Sequence, residues 1–133
     1  IIGNIGDSRA YHITPEGIFQ ISRDHSVVEN MVAKGDLTPL EARTHPNRNL
    51  ITRALGPDIH AKADTFELPW HKDEFLLLCS DGLVNTVSDQ EMLFEVLHDG
   101  DVNECLDHLL QISLQRGAPD NITAVLLLNE EGR

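Results

Sequence analysis

The feature that most limits the fold of this chain is a short, unbroken apolar run that ends abruptly in polar residues. Phe75–Cys79 reads FLLLC and is followed at once by Ser80, Asp81 and Gly82. A run of this length bounded by turn-forming residues is typical of a strand buried within a sheet. We therefore predict a strand over Glu74–Ser80 that carries an acid, Asp81, at its C-terminal end.

A second apolar run has the opposite arrangement, with the acid in front of it. Asn121–Leu128 reads NITAVLLL and is preceded by Asp120. We predict that this run is the final strand. If the two strands are antiparallel neighbours, Asp81 and Asp120 lie at the same end of the sheet.

Two carboxylates at one end of a sheet favour a bound cation, because both ionise readily only when a positive charge lies between them. Mg²⁺ and Mn²⁺ accept carboxylate and water ligands. Gly82 would allow the backbone to approach such a site closely, and Asn121 could orient a ligand from behind it. However, SDG and PDN are also ordinary turn sequences, so spacing alone leaves both interpretations open.

Other phosphatase chemistries do not match the residues around this strand. A phosphate-binding loop with a Cys79 nucleophile would need Arg six residues later, where the chain has Asn85. A haloacid-dehalogenase site needs a second acid two residues from Asp81, where the chain has Leu83. Ser80 lacks the glycine-flanked elbow of a serine hydrolase. A water activated by a metal fits the residues best.

The rest of the chain reads as further strands and capped helices. The other predicted strands are Ile1–Ile5, Arg9–Ile13, Ile18–Ile21 and Ala61–Leu68, and the helices begin at Ser26, Thr38, Ser88 and Asp101. The last helix has an apolar face composed of Val102, Leu106, Leu109, Leu110 and Ile112. Strands with helices packed on them indicate an α+β or layered α/β fold.

Composition restricts the classes of function. With 133 residues, of which 41% are hydrophobic, the chain can form one core, and it has no run of about 20 apolar residues. Its net charge of −12 argues against nucleic acid and against an anionic membrane as partners. Cys79 and Cys105 lack metal-type spacing, so we expect free buried thiols and a cytoplasmic location. The seven histidines are scattered and are expected to be surface or packing residues.

Five motifs in order resemble those of the metal-dependent protein phosphatases of the type 2C, or PPM, family. They are GNIGDSRAY, RDHSVV, HPNRNLITRALG, FLLLCSDGL and GAPDNITAVLL, and they span nearly the whole chain. The third motif resembles the bacterial members most. The resemblance implies a layered β-sandwich of two antiparallel sheets flanked by helix pairs. Because the family's N-terminal motifs are absent, we expect residues 1–133 to be the C-terminal portion of one domain.

The resemblance also assigns a site. Asp81 and Asp120 match family aspartates that bind Mg²⁺ or Mn²⁺, with two ions, or three in bacterial members. The implied activity is hydrolysis of phosphoserine and phosphothreonine in proteins by a water activated at this centre, in signal transduction. Phosphorylated proteins would be the partners, and the complete domain would be a monomer. We expect the chain on its own to be inactive.

The segment 26–49 matches the family's flap, where substrates are thought to dock. Lys34, Arg43 and Arg48 are its candidate docking residues. Asp7 in GDSR belongs to the family pattern, but we interpret it as an acid that stabilises a turn rather than as a metal ligand, and Arg9 as structural. The alternative function is a non-catalytic PPM-like module that binds phosphoproteins or regulates a partner, although the presence of both metal-type aspartates favours an enzyme.

Overall fold

The computed structural model describes residues 1–117 and 120–131, which form two antiparallel sheets and five helices. The strands are β1 (Ile2–Asn4), β2 (Arg9–Thr14), β3 (Gly17–Gln20), β4 (Asp64–Phe66), β5 (Phe75–Cys79) and β6 (Ala124–Leu128). The helices are α1 (Val27–Ala33), α2 (Pro39–Arg43), α3 (Asp81–Val84), α4 (Asp89–His98) and α5 (Val102–Gln115). This mixture of antiparallel sheets and helices is the predicted fold class.

The apolar run β5 lies at the centre of the larger sheet, as predicted. The strand order is β3-β2-β5-β6, and each neighbouring pair is antiparallel. Tyr11 of β2 lies opposite Leu77 of β5, which in turn lies opposite Leu126 of β6. Side chains alternate between the faces of a strand, so this row points to one face of the sheet. All three residues are buried.

Helices α4 and α5 cover this face and form the main core with it. Met92 and Val96 of α4, and Cys105 and Leu109 of α5, are each at most 2% exposed. Both cysteines of the chain are free and buried, in agreement with the sequence prediction. The predicted apolar face of α5 is wrong at one position, because Leu110 is 42% exposed. The buried stripe instead continues from Leu109 to Ser113, four residues further along the helix.

The predicted helix starts are confirmed by their capping hydrogen bonds. Ser88 and Glu91 form a reciprocal capping box at α4, and Thr38 and Glu41 form another at α2. Ser26 accepts a hydrogen bond from the backbone of the third residue of α1. Arg116, just beyond α5, binds both carboxylate oxygens of Glu91 and so holds the two helices together.

Two elements differ from the prediction. The strand expected over Ala61–Leu68 is reduced to β4, which, among the residues that the structure describes, pairs with β1 alone. The residues after β5 do not form a simple turn, because Asp81 is the first residue of the one-turn helix α3. This helix buries Leu83 and Val84 in the core. Four residues are too few to show helical periodicity, so tertiary packing rather than pattern determines α3.

The second face of the larger sheet is less completely covered. A cavity of about 280 Å³ separates it from β1 and is lined by Ile2, Ala10, Leu78 and Val125, among others. At the outer edge of the sheet, Val125 and Leu127 of β6 are 46% and 41% exposed. Across the described ranges, none of the helices has the length and apolar character needed to traverse a bilayer.

Candidate functional site

The segments that carry the two predicted acids lie side by side at one end of the larger sheet. Cys79, the last residue of β5, pairs with Ala124, the first residue of β6. Beyond this pair, the Ser80 backbone N–H donates to the Thr123 carbonyl at 2.9 Å, and the Thr123 N–H donates to Ser80 Oγ at 3.0 Å. At this end of the sheet, Asp81 therefore follows β5 and Asp120 precedes the neighbouring strand β6. Residues 118 and 119 of the GAPDN motif lie outside the described residues.

Gly82 allows these two segments to approach closely. A Cβ atom placed on Gly82 would lie 2.1 Å from the carbonyl oxygen of Asn121, far inside van der Waals contact. The close approach at Gly82 is thus between two backbone segments. Asn121 contributes through its backbone, because its N–H donates to Oδ1 of Asp120 at 2.7 Å. That hydrogen bond orients the Asp120 carboxylate.

The site contains a third acid, Asp7, which the sequence suggested only as a turn residue. Asp7 lies between β1 and β2 and lines the same cleft as Asp81. Burial, followed by repulsion from Asp81 and from Asp24, raises the pKa of Asp7 to about 6. The signal in the sequence was the position of GDSR beside a predicted strand, but only the pairing of β2 with β5 brings Asp7 to Asp81.

A buried histidine holds the loop that carries Asp7. Nδ1 of His25 accepts a hydrogen bond from the backbone N–H of Gly6 at 3.0 Å. The backbone N–H of His25 donates to the Gly6 carbonyl at 2.9 Å. Its Nε2 contacts Oδ2 of Asp64 at 2.7 Å. His25 is therefore a packing residue, as the sequence suggested, and it ties the Asp7 loop to β4.

Arg9 is also structural, as predicted. Its guanidinium group donates to Asp24 at 2.8 and 2.9 Å and to the hydroxyl of Tyr11 at 2.9 Å. The Tyr11 hydroxyl in turn donates to Asp89 at 3.1 Å. Arg9 is thus occupied by this network beneath the site.

Asp7 and Asp81 face a cleft of about 530 Å³, whose other wall is formed by residues of the segment 26–49. Asp7 and Asp81 line one side, and Arg43 and Arg48 line the other. Nη2 of Arg43 donates to the Val84 carbonyl at 2.9 Å, so this arginine ties α2 to α3. Lys34 is exposed and is not among the residues that line the cleft.

The arrangement is suited to binding a cation. Asp7 and Asp81 line the same cleft, and repulsion from Asp81 helps to raise the pKa of Asp7. Within residues 1–117 and 120–131 neither carboxylate forms an ion pair with Lys or Arg. Two like charges held together without a counter-charge are relieved by a divalent ion, for which carboxylate oxygens are preferred ligands. The described atoms therefore fit Mg²⁺ or Mn²⁺ at this end of the sheet.

Comparison with known proteins identifies relatives along the whole chain. The chain is 35% identical, over 136 residues, to the serine/threonine phosphatase stp of Listeria monocytogenes serotype 4b. The match includes all of this chain and 54% of that protein. The chain therefore spans about half the length of that relative. No family model matches the chain.

Solved structures agree with this relationship. The serine/threonine phosphatase Stp1 from Staphylococcus aureus matches with a TM-score of 0.89 and 41% identity, over 96% of this chain and 50% of that one. A PPM Ser-Thr phosphatase from Mycobacterium smegmatis matches with a TM-score of 0.86 and 34% identity, over 96% and 54%. The catalytic domain of PstP, in complex with two manganese ions, matches with a TM-score of 0.75 and 35% identity, over 93% and 51%. By sequence and by fold, the chain belongs to the PPM family of serine/threonine protein phosphatases.

Proposed function

We propose that this chain is the C-terminal portion of one PPM-type catalytic domain, residues 1–133, with its flap at 26–49. The complete protein would hydrolyse phosphoserine and phosphothreonine in other proteins. One observation of the structure carries the proposal. Two acids that line one cleft, Asp7 and Asp81, have no Lys or Arg partner among the described residues, and the segment that carries Asp120 lies at the same end of the sheet. The chain is related along its whole length to serine/threonine phosphatases.

Asp81 and Asp120 would bind the metal ions, as the family resemblance implies, and Asp7 would join them because it lines the same cleft as Asp81. Either Mg²⁺ or Mn²⁺ suits these oxygen ligands. The manganese ions in the related PstP structure support the metal dependence. When bound, the ions supply an activated water and offset negative charge on the phosphoryl oxygens.

The other residues of the cleft would hold and orient the substrate. Arg43 holds α2 against α3, whose first residue is Asp81, so it would fix the flap relative to the acids. Arg48 lines the cleft and is one of the few positive charges in a protein whose net charge is −12. That charge would attract the phosphate group of a protein substrate.

Replacement of the acids in the full-length protein tests the proposal. Asp81→Asn and Asp120→Asn each keep the size of the side chain but remove a charged ligand. We expect each variant to lose about a thousandfold or more in turnover of a phosphothreonine peptide with Mn²⁺, with an unchanged circular dichroism spectrum. Calorimetric titration with Mn²⁺ should show weaker binding in both variants.

Glu29→Gln is the matched control, because Glu29 lines the same cleft and pairs with Arg23. It removes one negative charge from the cleft without touching Asp7, Asp81 or Asp120. We expect it to keep nearly normal turnover. Near-normal turnover by Asp81→Asn or Asp120→Asn would instead contradict the assignment of the metal site.

A further inference from the structure

A second group of metal-type side chains lies where α4 meets α5. Glu95 is on the last part of α4, Asp99 caps its C-terminal end, and His108 lies on α5. Nδ1 of His108 is 3.0 Å from Oδ2 of Asp99 and 3.5 Å from Oε2 of Glu95. One ligand atom from each residue lies within 4.8 Å of the others.

These separations suit a tetrahedral transition-metal ion. Zn²⁺ binds histidine nitrogen and carboxylate oxygen at about 2.0–2.2 Å, which places neighbouring ligand atoms about 3.4 Å apart in a tetrahedron. The two measured N···O separations, 3.0 and 3.5 Å, lie on either side of that value. Mg²⁺ prefers six oxygen ligands, so a set that includes an imidazole favours Zn²⁺ over Mg²⁺.

The electrostatic surroundings favour a cation at this point. No Lys or Arg occurs from Asp73 to Gln115, and Arg116, just beyond α5, pairs with Glu91 near the start of α4 rather than with this cluster. The carboxylates of Glu95 and Asp99 are 20% and 15% exposed, and both lie at the negative end of the α4 dipole. Burial, and then the nearby Asp99, raises the pKa of Glu95.

His108 is the basic group of the cluster. Its hydrogen bond with Asp99 raises its pKa, so a proton on the ring stabilises the cluster. A bound Zn²⁺ would replace that proton, because the metal needs the neutral imidazole. The ring is 49% exposed, which gives an ion access from solvent.

The cluster is remote from the acids of the catalytic cleft. Asp99 lines a small cavity together with Phe75 and Leu128, which pair at the start of β5 and the end of β6. Asp81 lies beyond Cys79 at the other end of β5. Cys79 lies about 13 Å from Phe75, because a strand rises about 3.3 Å per residue. An ion bound by this cluster would therefore be separate from those bound by Asp81.

We propose that Glu95, Asp99 and His108 form a Zn²⁺ site that links the C-terminal end of α4 to α5 at the end of the sheet opposite Asp81. The ion stabilises the helix pair over the main core and takes no part in hydrolysis. Helix-local spacing could not indicate this site, because its third ligand comes from the next helix.

Equilibrium dialysis of the full-length protein against ⁶⁵Zn²⁺ tests the site, with excess Mg²⁺ present to occupy the Asp81 centre. We expect one zinc ion per chain that Mg²⁺ does not displace. His108→Ala and Glu95→Gln should each weaken its binding by at least about tenfold. Substitution with Co²⁺ should give an intense tetrahedral d–d absorption that is lost in both variants.

Two control variants match the changes made. His60→Ala removes an exposed imidazole from the loop that precedes β4. Asp107→Asn removes an exposed acid from α5, next to His108 in the sequence. Both should bind zinc as the wild type does, and phosphatase turnover with Mg²⁺ should be the same in His108→Ala as in the wild type. Zinc binding that Mg²⁺ displaces completely, or that is unchanged in both His108→Ala and Glu95→Gln, would overturn the proposal.

Discussion

At the scale of single residues, the approach of the two strand ends depends on Gly82. A Cβ at this position would meet backbone atoms of Asn121, with the carbonyl oxygen only 2.1 Å away. Backbone cannot rotate aside as a flexible side chain can, so Gly82→Ala must displace either α3 or the segment that carries Asp120. We expect a loss of about 1–3 kcal/mol in the free energy of unfolding, measured with urea, and a fall in Mn²⁺-dependent turnover.

Gly100→Ala is the matched control for this substitution. No atom lies within 4 Å of a Cβ built on Gly100, so the change adds the same methyl group without a collision. We expect wild-type activity from it. Equal losses in both variants would show that close approach at Gly82 is unimportant.

Burial of the Asp7 carboxyl group, together with repulsion from Asp81, should destabilise the metal-free protein at neutral pH. The pKa of Asp7 rises from an ordinary value of 3.8 to about 6 in the folded state, so the folded state holds this proton more tightly than the unfolded chain does. Stability contributed by this group is present below the unfolded pKa and is lost as pH rises through about 6. Asp7→Asn should therefore raise the melting temperature of the metal-free protein at about pH 7.5, but not near pH 4.

With added Mn²⁺, the wild type should have the higher melting temperature, because it has the metal ligand that Asp7→Asn lacks. Asp36→Asn, at an exposed acid of the flap, serves as the control and should leave the melting temperature unchanged at either pH. A metal-free Asp7→Asn protein that is no more stable than the wild type at neutral pH would contradict the proposed repulsion.

At the scale of elements, the flap residues should divide between anchoring and docking. Arg43 donates to the carbonyl of Val84 and thereby positions the flap, whereas Arg48 lines the cleft. We expect Arg43→Ala to impair turnover of both a phosphopeptide and p-nitrophenyl phosphate. Arg48→Ala should impair turnover of the phosphopeptide more, since a small ester needs no docking surface. Its effect should decrease with added salt.

Lys34→Ala provides the comparison within the same segment. The sequence predicts docking by Lys34, but its position outside the cleft lining leads us to expect a smaller effect than that of Arg48→Ala. Equal losses toward both substrates in Arg48→Ala would show that Arg48 is not a docking residue. A large loss in Lys34→Ala would show that substrates extend beyond the cleft.

At the scale of the whole molecule, the second face of the larger sheet leaves apolar surface exposed. Val125 and Leu127 of β6 are 46% and 41% exposed, and Ile1 beside β1 is 88% exposed. An uncovered apolar face on a strand at the sheet edge promotes association between chains. We expect residues 1–133, expressed alone, to form oligomers by light scattering and to show no turnover with Mn²⁺.

The double variant Val125→Thr and Leu127→Thr tests the cause of that association. Threonine is β-branched and therefore suits a strand, but it reduces the apolar surface. We expect smaller oligomers and a circular dichroism spectrum that retains the signal of α4 and α5, whose capping bonds are local. A monomeric wild-type chain of residues 1–133 with clear turnover would mean that these 133 residues suffice for catalysis.

The amino-acid sequence by itself determined the elements whose signals are local. The run FLLLC predicted the central strand because a short apolar run has few other stable structures. Ser88 with Glu91, and Thr38 with Glu41, predicted helix starts because capping bonds join residues three apart. The ordered motifs also indicated the PPM family, which relatives along the whole chain confirm.

Only the tertiary structure decided which distant side chains meet. Antiparallel pairing of β2 with β5 places Asp7 against Asp81, 74 residues later in the sequence. Packing of α4 on α5 likewise brings His108 to Glu95 and Asp99. Local pattern cannot encode such contacts, because strand register and helix packing depend on burial of the whole core. The same burial determined that Asp81 begins a helix instead of a turn.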